Sequence, residues 1–230
     1  MDTMMKVWDL PTRLFHWSLA ILFIFMIISG ESDDLMEWHF YTGYLLTGLI
    51  TFRLIWGFLG TRYARFSAFT LNPIASIRYT NKLLRGQHKP LYGHTPAGSM
   101  MVVVLLSLLA VQLSTGMLST DDIIWNGPFY NSISESSAEL AGEIHESIQL
   151  LLQFLVGLHI LAIILYKVKF KESLLPAMLH GKKPKHGNTE HSKGDKAGLD
   201  EERESTSLTK LIMSTIPAVG LTYWLFTLPI

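Results

Sequence analysis

Residues 144–168 read IHESIQLLLQFLVGLHILAIILYKV, and this stretch decides the fold. It is long and apolar enough to cross a bilayer as a helix, which takes about 20 residues. It carries two histidines, His145 at its start and His159 past its middle, 14 positions apart. At 100° and about 1.5 Å per residue, that spacing holds both imidazoles within roughly 40° of one helix face, about 21 Å apart along the axis. A single intramembrane histidine would mean little. Two on one face, at two depths, ask for partners at the same depths on other helices.

Working outward, four more apolar segments appear: Leu14–Gly30, Trp38–Gly60, Ala97–Leu118 and Leu211–Ile230. Of the 230 residues, 49% are hydrophobic. With so little chain left over, the expected architecture is one all-α integral membrane domain with no separate soluble domain. Lys6, Asp9 and Arg13 precede the first apolar run and no small-residue cleavage site follows it. That run is therefore expected to stay in the mature protein as a helix.

The formal net charge is zero, but its distribution is not even. The connection 31–37 carries Glu31, Asp33, Asp34 and Glu37 with no base, and 119–143 carries Asp121, Asp122, Glu135, Glu139 and Glu143 with no base. Arg62, Arg65, Arg78, Lys82, Arg85 and Lys89 lie between the second and third segments, and Lys167, Lys169 and Lys171 close the fourth. The excess of Lys and Arg predicts a cytoplasmic N-terminus and cytoplasmic second and fourth connections, as in a multi-pass protein of a bacterial inner membrane. The acidic loops then face outward.

This topology sets the histidine depths. His16 falls near the inner side and His39 near the outer side, while on the fourth helix His145 is outer and His159 inner. The pairs predicted are His16 with His159 and His39 with His145. Two neutral imidazoles at one depth suit the iron of a haem, a large apolar plate that buries well between helices. Such a pair saturates the iron, which favours electron transfer over oxygen binding. Because the chain has no cysteine, thiolate ligation, iron–sulfur clusters, disulfides and covalent C-x-x-C-H attachment are all excluded. Two non-covalent b haems are expected.

Gly43 lies one turn after His39, and Gly142 and Gly157 flank the other pair, where small residues would let a macrocycle approach. Arg53, 14 residues after His39, and Arg13, one turn before His16, are candidates for haem propionates. His94, ahead of Thr95 and Pro96, reads as a residue at the start of the third helix. His88 belongs to the same basic connection, and His180, His186 and His191 read as solvated tail residues. A zinc or proton site from His39, His145, Glu143 and Glu146 is an alternative that leaves His16 and His159 unexplained.

Three separated stretches resemble the bacterial cytochrome b-561 family, which includes the b-type cytochrome subunit of nickel–iron hydrogenases. They are Val7-Trp8-Asp9-Leu10-Pro11-Thr12-Arg13-Leu14-Phe15-His16-Trp17, then 53–66 from Arg53 to Phe66, then Gly93-His94-Thr95-Pro96-Ala97-Gly98. The resemblance implies a four-helix bundle with two haems at these four histidines, moving electrons between a quinone pool and a partner redox protein in a respiratory chain. The expected organisation is a di-haem membrane domain over 1–172, a polar cytoplasmic linker over 173–210 and a C-terminal helix over 211–230. That last helix, kinked at Pro217, is expected to span the membrane.

The leading functional expectation is electron transfer between quinol and an outer-face periplasmic partner such as a c-type cytochrome, which as an enzyme activity would be quinol oxidoreduction. Other readings are a membrane anchor of a hydrogenase-like enzyme or a superoxide:quinone oxidoreductase. The acidic loops count against the latter, since they repel an anionic substrate. From a different class comes a haem-free metal or ion transporter. Lipid, quinone and a redox protein are the expected partners, and nucleic acid is not.

Overall fold

The computed structural model describes residues 4–87, 93–120, 124–172, 174–184 and 207–228. In chain order the elements are β1 (Met4–Lys6), α1 (Leu10–Gly30), α2 (Met36–Leu59), α3 (Pro73–Leu84), α4 (Pro96–Leu118), α5 (Glu135–Phe170), α6 (Leu174–His180), β2 (Lys182–Pro184) and α7 (Leu208–Leu225). Among the described residues four helices are long and apolar enough to cross a membrane: α1, α2 with the turn before it, α4 and α5. The expected all-α membrane bundle is what the chain forms.

Local chemistry sets where the helices start. The Asp9 carboxylate accepts from the Thr12 amide at 2.8 Å, with Pro11 in the first turn of α1. Thr95 caps α4 through the Gly98 amide, and Asn72 caps α3 through the Ile74 and Ala75 amides. Each cap satisfies donors that an open helix end leaves unpaired, and each is followed by a proline whose φ suits the first turn. α5 is longer than expected, 36 residues against the 25 of the apolar run. Its N-terminal turns, Glu135 to Glu143, continue beyond the apolar stretch.

The close helix contacts are α1 on α2, α2 on α4, α4 on α5, α3 on α4, and α7 on α2. Phe15, Ile50, Leu106, Leu109 and Leu152 meet in a buried core to which each long helix contributes. Leu152 is seven residues from His145 and seven from His159, so this core sits between the two histidine depths. The chain alternates direction along the bundle. One end therefore gathers Arg62, Arg65, Arg78, Lys82 and Arg85, and the other gathers Glu31, Asp33, Asp34, Glu37 and Glu135. These are called the basic and acidic ends below.

Sequence reading passed over two features at the basic end. The basic connection contains α3, a short amphipathic helix tied to α5 by a 2.8 Å hydrogen bond between the Tyr79 and Tyr166 hydroxyls. Exposed Ile74 and Ile77 share α3 with Arg78 and Lys82, the composition of a helix lying in an interface. The segment expected as linker also begins with structure. β2 pairs antiparallel with β1, and the Gly181 carbonyl accepts from the Val7 and Trp8 amides. Residues 185–206 of that segment, with His186 and His191, lie outside the described residues, as do His88, Lys89, Asp121 and Asp122.

α7 lies along α2, running antiparallel to it. Thr222 and Ala218 face Gly48, and Phe226 stacks on Tyr41 with ring centroids 5.3 Å apart. Pro217 is inside this helix.

Candidate functional site

His16, on the second turn of α1, faces His159 on α5, with ring centroids 6.5 Å apart. His39, on the first turn of α2, faces His145 on α5 at 6.4 Å. These are the two pairs expected from depth. Two imidazoles on opposite sides of one metal ion, each about 2 Å from it, have centroids roughly 6 to 6.5 Å apart. Both separations fit a shared iron. Among the described residues no three His, Asp or Glu side chains converge as metal ligands, so the donors come as histidine pairs.

At the acidic end the rings are held from behind. His145 Nδ1 donates to the Gln112 carbonyl at 2.9 Å, with Thr115 Oγ1 at 3.5 Å. His39 Nδ1 lies 3.1 Å from Ser29 Oγ. Each bond engages Nδ1 and leaves the Nε2 lone pair for a metal. A glycine presses on each ring: a Cβ on Gly30 would lie 3.1 Å from His39 Cε1, and one on Gly116 would lie 2.6 Å from His145 Cε1. At the basic end His16 Nδ1 is buried with no partner among the described residues.

Both candidate arginines lie toward the basic end of the bundle. Arg53 is buried on α2, donates from Nη2 to the Ala64 carbonyl at 3.1 Å, and lies over the Phe66 and Phe15 rings at 4.9 and 5.9 Å. Among the described residues its Nη1 is buried without a partner, as is Nε of Arg13, whose Nη1 donates to the Leu179 carbonyl. An uncompensated buried N–H costs free energy. Two of them at this depth fit the carboxylates that a haem carries on its edge. Asp9 is not available for that role. Its oxygens already accept from Trp56 Nε1 at 3.1 Å, Thr61 Oγ1 at 2.6 Å and the Thr12 amide.

The family model described as prokaryotic cytochrome b561 matches residues 7–181. The chain belongs to the prokaryotic cytochrome b561 family. A cytochrome b561 is a membrane b-type cytochrome that takes part in electron transfer, and it binds b-type haem. Comparison with curated proteins and with solved structures gives no match.

In this cytochrome b561 the glycines chosen from sequence differ from those that touch the rings. A Cβ on Gly43 would meet only Met26 Cε, at 4.0 Å, one on Gly142 would meet the Thr120 carbonyl at 3.6 Å, and one on Gly157 would meet nothing within 4 Å. Gly30 and Gly116 escaped notice because neither is near a histidine in sequence. The signal was depth: Gly30 ends the helix that faces His39, and Gly116 sits at the level of His145.

His94 is drawn into the basic end, between Trp8 at 4.6 Å and Phe69 at 4.8 Å between ring centroids. Burial lowers its pKa to about 3, with the Arg53 and Lys183 cations adding to the effect. It is therefore a neutral packing residue at the start of α4.

Proposed function

We propose that the protein carries two b haems, one held by His16 and His159 and the other by His39 and His145, and passes electrons across the membrane between the quinone pool and a redox partner at the acidic end. The observation that carries this reading is the pairing itself. Four histidines from α1, α2 and α5 form two facing pairs, each at the separation of a bis-imidazole site. A transporter has no need of two such pairs at two depths.

Haem bound there would supply one-electron chemistry at a six-coordinate iron. The chain does the rest. Ser29 and the Gln112 carbonyl orient the acidic-end rings, Gly30 and Gly116 give those rings room, and Arg53 and Arg13 offer cations to the propionates of the basic-end haem. The Leu152 core keeps water from the region between the two sites.

Positive-inside counting supports a cytoplasmic basic end. The acidic end is then periplasmic, with a charge that suits a lysine-rich c-type cytochrome. The packing of α7 along α2 supports its role as a fifth transmembrane helix. A hydrogenase-like anchor would use the same haems and would reveal itself by co-purifying with an iron–sulfur subunit.

The test is a reduced-minus-oxidised spectrum with a haem-to-protein ratio on protein purified in mild detergent. Two low-spin haems per chain, reducible by quinol, are expected. A chain that binds none when haem is in ample supply would sink the proposal.

A further inference from the structure

α3 does not close on its neighbours at the basic end. A cavity of about 340 Å³ opens between α3, α4 and α5, within the size range of ligand clefts, roughly 300–1,000 Å³. We infer that it is a specific site for an anionic phospholipid, which lays an acyl chain in the cavity and sets its phosphate against the cations of α3. The inference does not depend on how many haems the chain holds.

Hydrogen bonds fix α3 around this space. The Tyr79 and Tyr166 hydroxyls meet at 2.8 Å and Lys169 Nζ donates to the Leu84 carbonyl at 2.9 Å, which ties α3 to α5. Ser76 Oγ donates to the Pro96 carbonyl at 3.0 Å, which ties it to α4. Between these ties α3 lines the cavity with Ser76, Thr80 and Asn81, too short to fill it, and with Ile77. The Ser76 and Thr80 hydroxyls donate to backbone carbonyls and so ask nothing of an occupant. The remaining walls are apolar. Met100 and Met101 come from α4 and Leu155 from α5, and methionine side chains adapt to a flexible guest. Along α4 the lining runs from Ala97 to Val104, a depth of about 10 Å at 1.5 Å per residue.

Charge selects the occupant. Ile77, Asn81 and Arg85 follow one another at four-residue spacing, and Arg78 and Lys82 form the adjoining strip. A lipid with its chain against Ile77 therefore brings its headgroup to three cations. No Asp or Glu lies between Glu37 and Asp121 in the sequence, and among the described residues no carboxylate pairs with any of the three. A phosphate satisfies them, and arginine can grip its oxygens with two parallel N–H groups. Basic pockets between membrane helices hold anionic headgroups on this principle. A zwitterionic lipid would carry its own ammonium into the same field. A quinone suits the site less well, because the described lining has no aromatic ring to stack on it and its carbonyls bring no charge to the cations.

The experiment is native mass spectrometry of the full chain, purified with its haem in mild detergent and supplied with dioleoyl phosphatidylglycerol or dioleoyl phosphatidylcholine. Retention of one phosphatidylglycerol per chain, in clear preference to phosphatidylcholine, is the expected result. Arg78→Gln should weaken that binding about fivefold, the share of one cation near a membrane surface. Thr80→Phe, which fills the cavity and leaves every charge in place, should remove it, with haem content showing that the variant folds. Equal retention of the two lipids by wild type overturns the inference. A folded Thr80→Phe that still holds phosphatidylglycerol also overturns it, since charge alone would then suffice. So does release of the lipid by decylubiquinone, which would give the cavity to quinone, or by inorganic phosphate, which would leave the acyl chain no part. Should Thr80→Phe lose haem, the comparison of the two lipids on wild type decides alone.

Discussion

Gly116 shows how little room one ring has. A methyl there would lie 2.6 Å from Cε1 and 2.9 Å from Nδ1 of His145, so the ring or the helix has to move. Overpacking of this kind costs about 1–3 kcal/mol in a packed interior. Gly116→Ala should therefore lower the haem-to-protein ratio from two toward one, while the spectrum of the His16–His159 site is kept. An unchanged ratio and unchanged potentials would show that the glycine is not needed. At the other end His94 makes stability depend on pH. The unfolded chain takes up a proton near the ordinary value of about 6.5, whereas the folded ring does so only near about 3. Below 6.5 the unfolded state binds more protons, so stability is full above that pH and falls as pH drops toward 3, by up to about 1.4 kcal/mol per unit. A lower melting temperature at pH 5 than at pH 7.5, with a flatter slope in His94→Gln, is the expected result.

Among the elements, α7 has the most to reveal. Its contact with α2 is made by small groups: a Cβ on Gly48 would come 3.0 Å from the Ala218 carbonyl and run into the Thr222 side chain. Two helices this close in lipid are held by van der Waals packing, which a larger side chain abolishes. The absence of cysteine makes the topology directly measurable, because any introduced thiol is unique. On the spanning reading, Thr227→Cys should react with a membrane-impermeant thiol reagent added to intact spheroplasts, and Ser207→Cys only after lysis. Labelling of both from one side would place α7 along the interface instead. The length of α5 also carries meaning. At about 1.5 Å per residue, 36 residues reach roughly 54 Å, well beyond a hydrocarbon core of about 30 Å. The excess includes the acidic turns at Glu135, Glu139 and Glu143, which would stand as a charged ledge at the proposed docking end.

Over the whole molecule, zero net charge conceals a dipole with a basic end and an acidic end. Long-range attraction between an acidic surface and a lysine-rich carrier raises the association rate at low salt and is screened within about 10 Å at 0.1 M. Electron exchange with a basic c-type cytochrome should slow markedly between low and moderate ionic strength. A rate indifferent to salt would count heavily against docking at the acidic end.

The sequence by itself determined the quantities that depend on distance along one chain. Apolar runs had the length to span, and 14 residues separated His145 from His159 on one face. Alternating helix direction then matched His16 to His159 and His39 to His145 in depth, and the structure brings those rings together. The motifs around His16, Arg53 and His94 carried the family, which the match over 7–181 shows. Tertiary structure decided whatever depends on the rotation of one helix against another. Gly30 and Gly116 touch rings on different helices, Ser29 reaches His39 from α1, and Arg53 turns inward rather than toward an interface. It also decided that α6 and β2 fold back on the start of α1 and that α7 lies on α2. Helical period and hydropathy are local properties, readable from one segment at a time. Which face meets which neighbour is set by packing among all the helices together, and no single segment encodes it.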